Sequence, residues 1–475
     1  MTVGDARAHY ELLEIADGRR PDRDLETGIA ASELDPRPTV TAPAPSQPRS
    51  LPYLDGLRGL AALLVYLSHY MVLIHGADHI AQYGYGYRGA YTWTALPFIR
   101  IFFAGGSAAV AIFFVLSGYV LTRSPLHMLG SGSSPALLYQ RLAFAAIRRP
   151  FRLFVPVIGI SFGFALCMHL PFGLAPKLSW PEPAPSVFAE IATWFRELVF
   201  YALNPFVKHG VTEHWFPYDP PVWTIAIEFT GSILVFALLI LLSLVLPRWR
   251  AAVLIVTGLG FLWIYQWAMA CFVAGLILAM NDSRTMDKSF PSESRKVAYN
   301  AIFLTGWWLL CQVSAGGVEA AESVPGWGWL LSILPSAYRS GEYFRFWDAI
   351  GAVLVVFATL RLDWLQKFFD LRSLRFLGRV SFSLYLIHIP LLWTVGDRIA
   401  RAFGVVSANS GFQTWYDNLL YLPDVGPQGL SLRFIAVQLI MMPLSLWMAN
   451  WGTILLDQPS ILVGRWVEAK IRGVL

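Results

Sequence analysis

Ten stretches of this chain are apolar over nearly the length that a bilayer demands. They lie near residues 57–75, 106–123, 151–170, 222–246, 251–265, 266–280, 299–314, 346–360, 380–396 and 433–456. A helix needs roughly 20 such residues to cross the hydrocarbon layer. The expectation is an all-α polytopic membrane protein, with about ten transmembrane helices in one bundle and no evident repeat symmetry. The region 251–280 is a continuous apolar run and fits either two tightly turned short spans or one long tilted one.

Composition bears on the same point. Only 14% of residues are charged and 56% are hydrophobic, whereas soluble domains carry about 25% charged residues. The net charge of +5 comes from basic residues clustered between the apolar runs, which marks membrane topology and excludes a nucleic-acid footprint. Cys167, Cys271 and Cys311 are far apart in apolar surroundings, with no metal or disulfide spacing. Residues 1–50 are rich in Asp, Glu, Arg and Pro and contain no apolar run. They are expected to form a disordered polar cytosolic tail, because such a segment cannot bury enough surface to fold. The domain proper is expected over 51–475.

Placing that tail in the cytosol puts 26 basic residues on the cytosolic side and 10 on the other. By the positive-inside rule both termini are then cytosolic. The opposite face carries three sizeable loops, 76–105, 171–221 and 397–432, rich in Trp, Tyr, Pro and His. Loops of that kind commonly line a mouth or a binding surface.

The first apolar run, LDGLRGLAALLVYLSHY over 54–70, carries Asp55, Arg58 and His69. A charge within a bilayer costs at least a few kcal/mol, so such residues usually have a job. Arg58 and His69 are eleven residues apart, close to three helical turns, so they share a face and lie roughly 16 Å apart along the axis. Arg58 sits at the cytosolic mouth and His69 about halfway through the membrane. Taken singly, Arg58 reads as a snorkelling topology anchor and His69 as a hydrogen-bonded histidine inside a bundle. Together on one face they read as a polar path.

This segment resembles the first membrane helix of the acyltransferase 3 family, which has a basic residue, ten intervening residues and a histidine. The resemblance continues in order along the chain, through FFVLSGYVLT (113–122), RRPFRLFVP (148–156), WTIAIEF (223–229), FLGRVSFSLYLIHIPLL (376–392) and DQPSILVGR (457–465). In the last of these Asp457 stands where Glu is common. The resemblance implies transfer of an acyl group, often acetyl, from acyl-CoA to a hydroxyl. The acceptor class is a sugar, lipid or secondary metabolite, and acyl-CoA serves as cosubstrate with no bound cofactor and no metal.

Such chemistry needs an anchor for the CoA anion, a base for the acceptor hydroxyl and shelter from water. Arg58, Arg149 and Arg152 are the anchor candidates. Arg149 and Arg152 are spaced i, i+3 on one face, Pro150 suits the first turn of a helix, and guanidinium forks bind phosphates bidentately. Their plainer reading is the positive-inside rule. His69 is the candidate base, since a neutral imidazole can accept a proton near pH 7. Glu228 is expected about six residues inside its helix, at a depth near that of His69, where the two would pair. A structural bond to a neighbouring helix is the alternative for Glu228. Ser381, Tyr385 and His388 fall on one helix face and are candidates for a tunnel lining, with interhelical packing equally open. Pro390 is expected to bend that helix.

His214 and Asp219 form an HxxxxD pattern in a Pro-containing loop on the side away from CoA. With nine His in the chain, chance alone gives roughly 0.3 such pairs, so the motif is a weak signal. The rival class is a transporter, because intramembrane His, Glu and Arg also mark proton or solute pathways. Repeated halves, common in transporters, are not visible here.

Overall fold

The computed structural model describes residues 51–473 apart from 77–78, 80–82, 90, 171–180, 205–214, 285–291, 315–316, 323, 340–341 and 407–412. The tail expected over 1–50 lies outside the described residues, as does His214 of the HxxxxD pattern. Among the described residues every regular element is helical. The long ones, in chain order, are α1 (Pro52–His75), α2 (Gly106–Gly130), α3 (Pro135–Cys167), α4 (Val187–Glu197), α5 (Trp223–Leu244), α6 (Arg250–Trp263), α7 (Trp267–Arg284), α8 (Glu293–Leu309), α9 (Phe344–Thr359), α10 (Arg372–Leu391), α11 (Leu432–Gly452) and α12 (Gln458–Ile471).

Among the described residues, six segments are long and apolar enough to cross a membrane: Pro52–His75, Gly106–Gly130, Pro135–Cys167, Pro220–Leu244, Arg372–Ala402 and Leu432–Ile471. The remaining four expected runs hold α6, α7, α8 and α9, with 14, 18, 17 and 16 residues. These are shorter than the roughly 20 residues of a full crossing. The 251–280 run is two helices. Tyr265, between α6 and α7, takes a φ of 65°, an uncommon conformation for an aromatic residue. Its hydroxyl accepts from the Glu342 N–H at 3.1 Å, which ties the turn to the segment entering α9.

Two helices that position the site, α1 and α10, cross through glycine. A Cβ on Gly59 would lie 2.5 Å from the Gly378 nitrogen, and one on Gly378 would lie 2.1 Å from the Asp55 carbonyl oxygen. Only the absence of a side chain lets the backbones come that close, as at small-residue crossings in membranes generally. His69 is ten residues beyond Gly59, and His388 is ten residues beyond Gly378. The helices run parallel, so the same rise of about 15 Å brings the two imidazoles to one level.

Three local features depart from the sequence expectations. Helix α3 opens at Pro135, not at Pro150, which is internal together with Pro156. The arginine motif therefore sits within a 33-residue helix, and Arg149 is buried. Helix α5 is entered through a short 3-10 turn, Pro220–Val222, whose Pro221 and Val222 are buried. Its first residues thus start packed inside the protein. After Pro390, α10 passes into a π-helical turn, Leu392–Gly396, before the helix Asp397–Ala402. Turns of this kind gather at functional sites, and here Leu392, Trp393 and Asp397 face a cavity.

Candidate active site

One end of the site is built of arginines. Arg149 on α3 donates through Nη2 to the Glu228 carboxylate of α5. Its Nε donates to Ser232 Oγ at 2.8 Å, and the same hydroxyl donates to the Glu228 carbonyl oxygen at 2.6 Å. Glu228 and Ser232 are one turn apart on α5, so they grip the guanidinium from one face. Arg58 on α1 is partly exposed and donates to Asp55 at 3.2 Å. Arg152 is exposed. The charges of Arg58, Arg149, Arg152, Glu228 and Asp457 act on one another. Four elements thus converge on one charged cluster.

Eleven residues along α1, His69 lines a cavity of about 650 Å³, within the size range of small-molecule sites. Its walls include Ser68, Trp215, Trp223, Tyr385 and Trp393 among mostly apolar residues. His69 Nδ1 lies 2.9 Å from the Val65 carbonyl oxygen and 3.2 Å from His388 Nε2. The two imidazole rings are tilted by 55° with centroids 4.9 Å apart. His388 is buried and its Nδ1 lies 3.2 Å from the Leu384 carbonyl oxygen. Tyr385 is 2.8 Å from Thr224 Oγ1 and 3.1 Å from the Pro221 carbonyl oxygen, which locks the start of α5 against α10.

The sequence-derived candidates therefore divide. Arg58, Arg149 and Arg152 come together, and His69 lines the cavity. Glu228 does not pair with His69. Its partner is Arg149, and the partner of His69 is His388. The depth assigned to Glu228 counted from a helix start at the membrane surface, but α5 starts within the protein. Trp223 is level with the cavity, and Glu228 lies five residues nearer the arginines. Tyr385 lines the cavity, and His388 lies behind the wall, in contact with both His69 and Tyr385. Ser381 donates to the Gly378 carbonyl oxygen of its own helix at 2.8 Å, so its hydroxyl belongs to the helix crossing.

Sequence reasoning missed the cavity's far wall. Arg345, at the start of α9, bonds Glu342 through Nε at 3.1 Å and Nη2 at 3.3 Å. Its guanidinium lies 4.8 Å from the Trp267 ring centroid, 5.0 Å from Phe344 and 5.4 Å from Trp223, in cation–π geometry. Glu342 and Arg345 both line the cavity. The signal was present: EYFRFWD places Glu342, Arg345 and Asp348 three apart at the mouth of an apolar run. Asp219, just ahead of the buried turn, is itself buried, and burial pushes its carboxyl well above the usual carboxylate range.

The arginine cluster and the histidine-lined cavity sit in a helical membrane protein of the acyltransferase class. The chain is a member of the acyltransferase 3 family, whose acyltransferase domain matches residues 51–450. It is 30% identical over 386 residues to the O-acetyltransferase PaAT-1 of Phomopsis amygdali, covering 74% of each chain. It is 22% identical over 413 residues to the acyltransferase clz18 of Cochliobolus lunatus, covering 75% of this chain and 86% of that one. It is also 22% identical over 359 residues to the peptidoglycan O-acetyltransferase OatA of Listeria monocytogenes, covering 72% of this chain and 49% of that one. No solved structure matches the chain.

Proposed function

We propose that this protein transfers an acyl group, acetyl in the first instance, from acyl-CoA to a hydroxyl of a sugar, lipid or secondary-metabolite acceptor. The observation that carries this reading is the layout of α1, with the arginine cluster at one end and His69 in a partly open cavity at the other. Two of the relatives are named O-acetyltransferases.

In this mechanism Arg58 and Arg152 hold CoA phosphates by charge-assisted bonds, while Arg149, tied to Glu228 and Ser232, stiffens the wall behind them. The pantetheine arm follows α1 inward for roughly 16 Å and sets the thioester beside His69. The acceptor hydroxyl enters the cavity past Trp215, Trp223 and the Arg345–Glu342 pair. His69 takes the hydroxyl proton as the oxygen attacks the thioester carbonyl. The C–O bond forms, the C–S bond breaks, and the proton passes to the departing sulfur. Bound thioester and acceptor displace water from the site, so hydrolysis does not compete. Both termini lie in the cytosol in this reading, and CoA enters from that side.

The test is thiol release from acetyl-CoA by the purified protein in nanodiscs. It is paired with mass spectrometry of metabolites and glycans from cells with and without the protein. A new acetyl ester that vanishes with His69→Ala supports the reading. Solute flux without acetyl-CoA consumption would replace it with the transporter.

A further inference from the structure

We propose that His388 is a positioning residue that fixes the tautomer of His69, leaving the Nε2 lone pair of His69 as the base. This rests on the acyltransferase reading above and names how its base is prepared. Each imidazole nitrogen that faces a carbonyl oxygen must carry a proton, because a carbonyl only accepts. His388 Nδ1 faces the Leu384 carbonyl oxygen at 3.2 Å, so it is the protonated nitrogen of a neutral ring. His388 Nε2 then holds a lone pair. That lone pair faces His69 Nδ1 at 3.2 Å, and the Val65 carbonyl oxygen faces the same nitrogen at 2.9 Å. Both neighbours of His69 Nδ1 are acceptors. The Nδ1–H tautomer satisfies them with one shared proton, whereas the alternative sets lone pair against lone pair on both sides. His69 Nε2 is left bare on the ring edge away from its helix backbone, in a residue that lines the cavity.

The arrangement does what a buried carboxylate does for a catalytic imidazole elsewhere, with a neutral partner. When His69 takes the alcohol proton on Nε2, its Nδ1–H still points at the His388 lone pair. The new cation keeps its hydrogen bond with no movement of either ring. When the proton leaves Nε2 for the CoA sulfur, the starting tautomer returns. The chain of acceptors is anchored in two backbones, α1 at Val65 and α10 at Leu384, which the glycine crossing holds in register. Val65 also accepts the Ser68 hydroxyl at 2.8 Å. Without His388, the His69 proton would share that crowded carbonyl alone.

Two variants and one spectrum test this in the full-length protein in nanodiscs. His388→Gln supplies an amide oxygen where Nε2 stood, and His388→Leu supplies no acceptor. Solid-state NMR of labelled ring nitrogens should report Nδ1–H for His69 in the parent and in His388→Gln, and a mixture of tautomers in His388→Leu. His388→Leu should lower kcat about 100-fold, the upper end of the loss when a partner orienting a functional histidine is removed. The KM for acetyl-CoA should be unchanged, and His388→Gln should recover to within about tenfold of the parent. An Nε2–H tautomer for His69 in the parent overturns the proposal. So does a His388→Leu enzyme with parental kcat, or equal losses in both variants, which would mark His388 as packing only. The spectrum requires no turnover. A parent that shows the Nδ1–H tautomer yet consumes no acetyl-CoA would sink the acyltransferase reading and leave the tautomer lock standing.

Discussion

The two ends of α1 solve the problem of polar groups in a membrane by opposite means. At the Arg58 end the chain gathers full charges from α1, α3, α5 and the turn before α12, and pairs them only in part. At the His69 end it sets two hydrogen-bonded histidines beside aromatic rings and a single ion pair, Arg345–Glu342. The first end stays partly open, with Arg152 exposed, as suits an anion that must arrive and leave. The second is lined mainly by apolar and aromatic side chains, as suits a proton transfer that water would spoil. Placing both on one face of one helix, three turns apart, lets a single element measure the distance from phosphate to thioester.

Substitutions can break that contrast one end at a time. The largest effect belongs to the His69 end: His69→Ala should lower kcat by about 10² to 10⁴, the contribution of a positioned base. The KM for acetyl-CoA should hold, because the arginines are untouched, and steady-state kinetics on matched amounts of protein give both numbers. Next in size is the buried pair at the charged end. Arg149→Leu leaves Glu228 without its cation and should destabilise the protein by about 3–5 kcal/mol, read as a lower melting temperature in nanodiscs. Adding Glu228→Leu should recover most of that loss, since an apolar pair replaces an ion pair at little cost.

Arg152→Ala sharpens the comparison, because here binding should suffer and chemistry should not. The KM for acetyl-CoA should rise about tenfold, the worth of one charge-assisted contact, with kcat unchanged. Arg152→Lys should recover part of the loss, lacking the fork. The same variant should be less sensitive to added salt than the parent, since an exposed contact is screened. A fall in kcat with no change in KM would move Arg152 from anchor to catalysis.

The smallest effect lies outside the bilayer. The Arg401 guanidinium, joined by Thr414, holds the Asp417 carboxyl down to about 2. Its native value lies below that of the unfolded chain, near 3.9. The stabilisation is therefore complete above about pH 4 and fades as pH falls through about 2. Cleavage of the loop by an acid-stable protease should increase over that window, while Asp417→Asn should make it cleavable already at neutral pH. Both ends of α1 should be indifferent to the second change.

Much of this was legible in the sequence. Every expected apolar run carries a helix, and the eleven-residue spacing of Arg58 and His69 needs only the helical pitch. What was not legible depends on where a helix starts in space. Glu228 was placed by counting from the first apolar residue of its run, a sound rule for a helix entering from water. The buried Pro220–Val222 turn breaks that rule. The partnership of His69 with His388 joins residues 319 apart in the chain and follows from one glycine crossing, which a sequence shows only as two small residues. The Arg345–Glu342 pair was visible as charges at the edge of a run and was counted only for topology.

The crossing of Gly59 and Gly378 has a mechanical consequence. It is a pivot, and each imidazole rides at the end of an arm of about 15 Å. A change of about 4° in the angle between α1 and α10 would carry the rings about 1 Å past each other, an error that can cost a catalytic site 10²-fold. Membrane helices adjust their tilt when the bilayer thickens or thins. The turnover of this protein should therefore respond to acyl-chain length in the surrounding lipid, as a lever responds to the ground beneath its fulcrum.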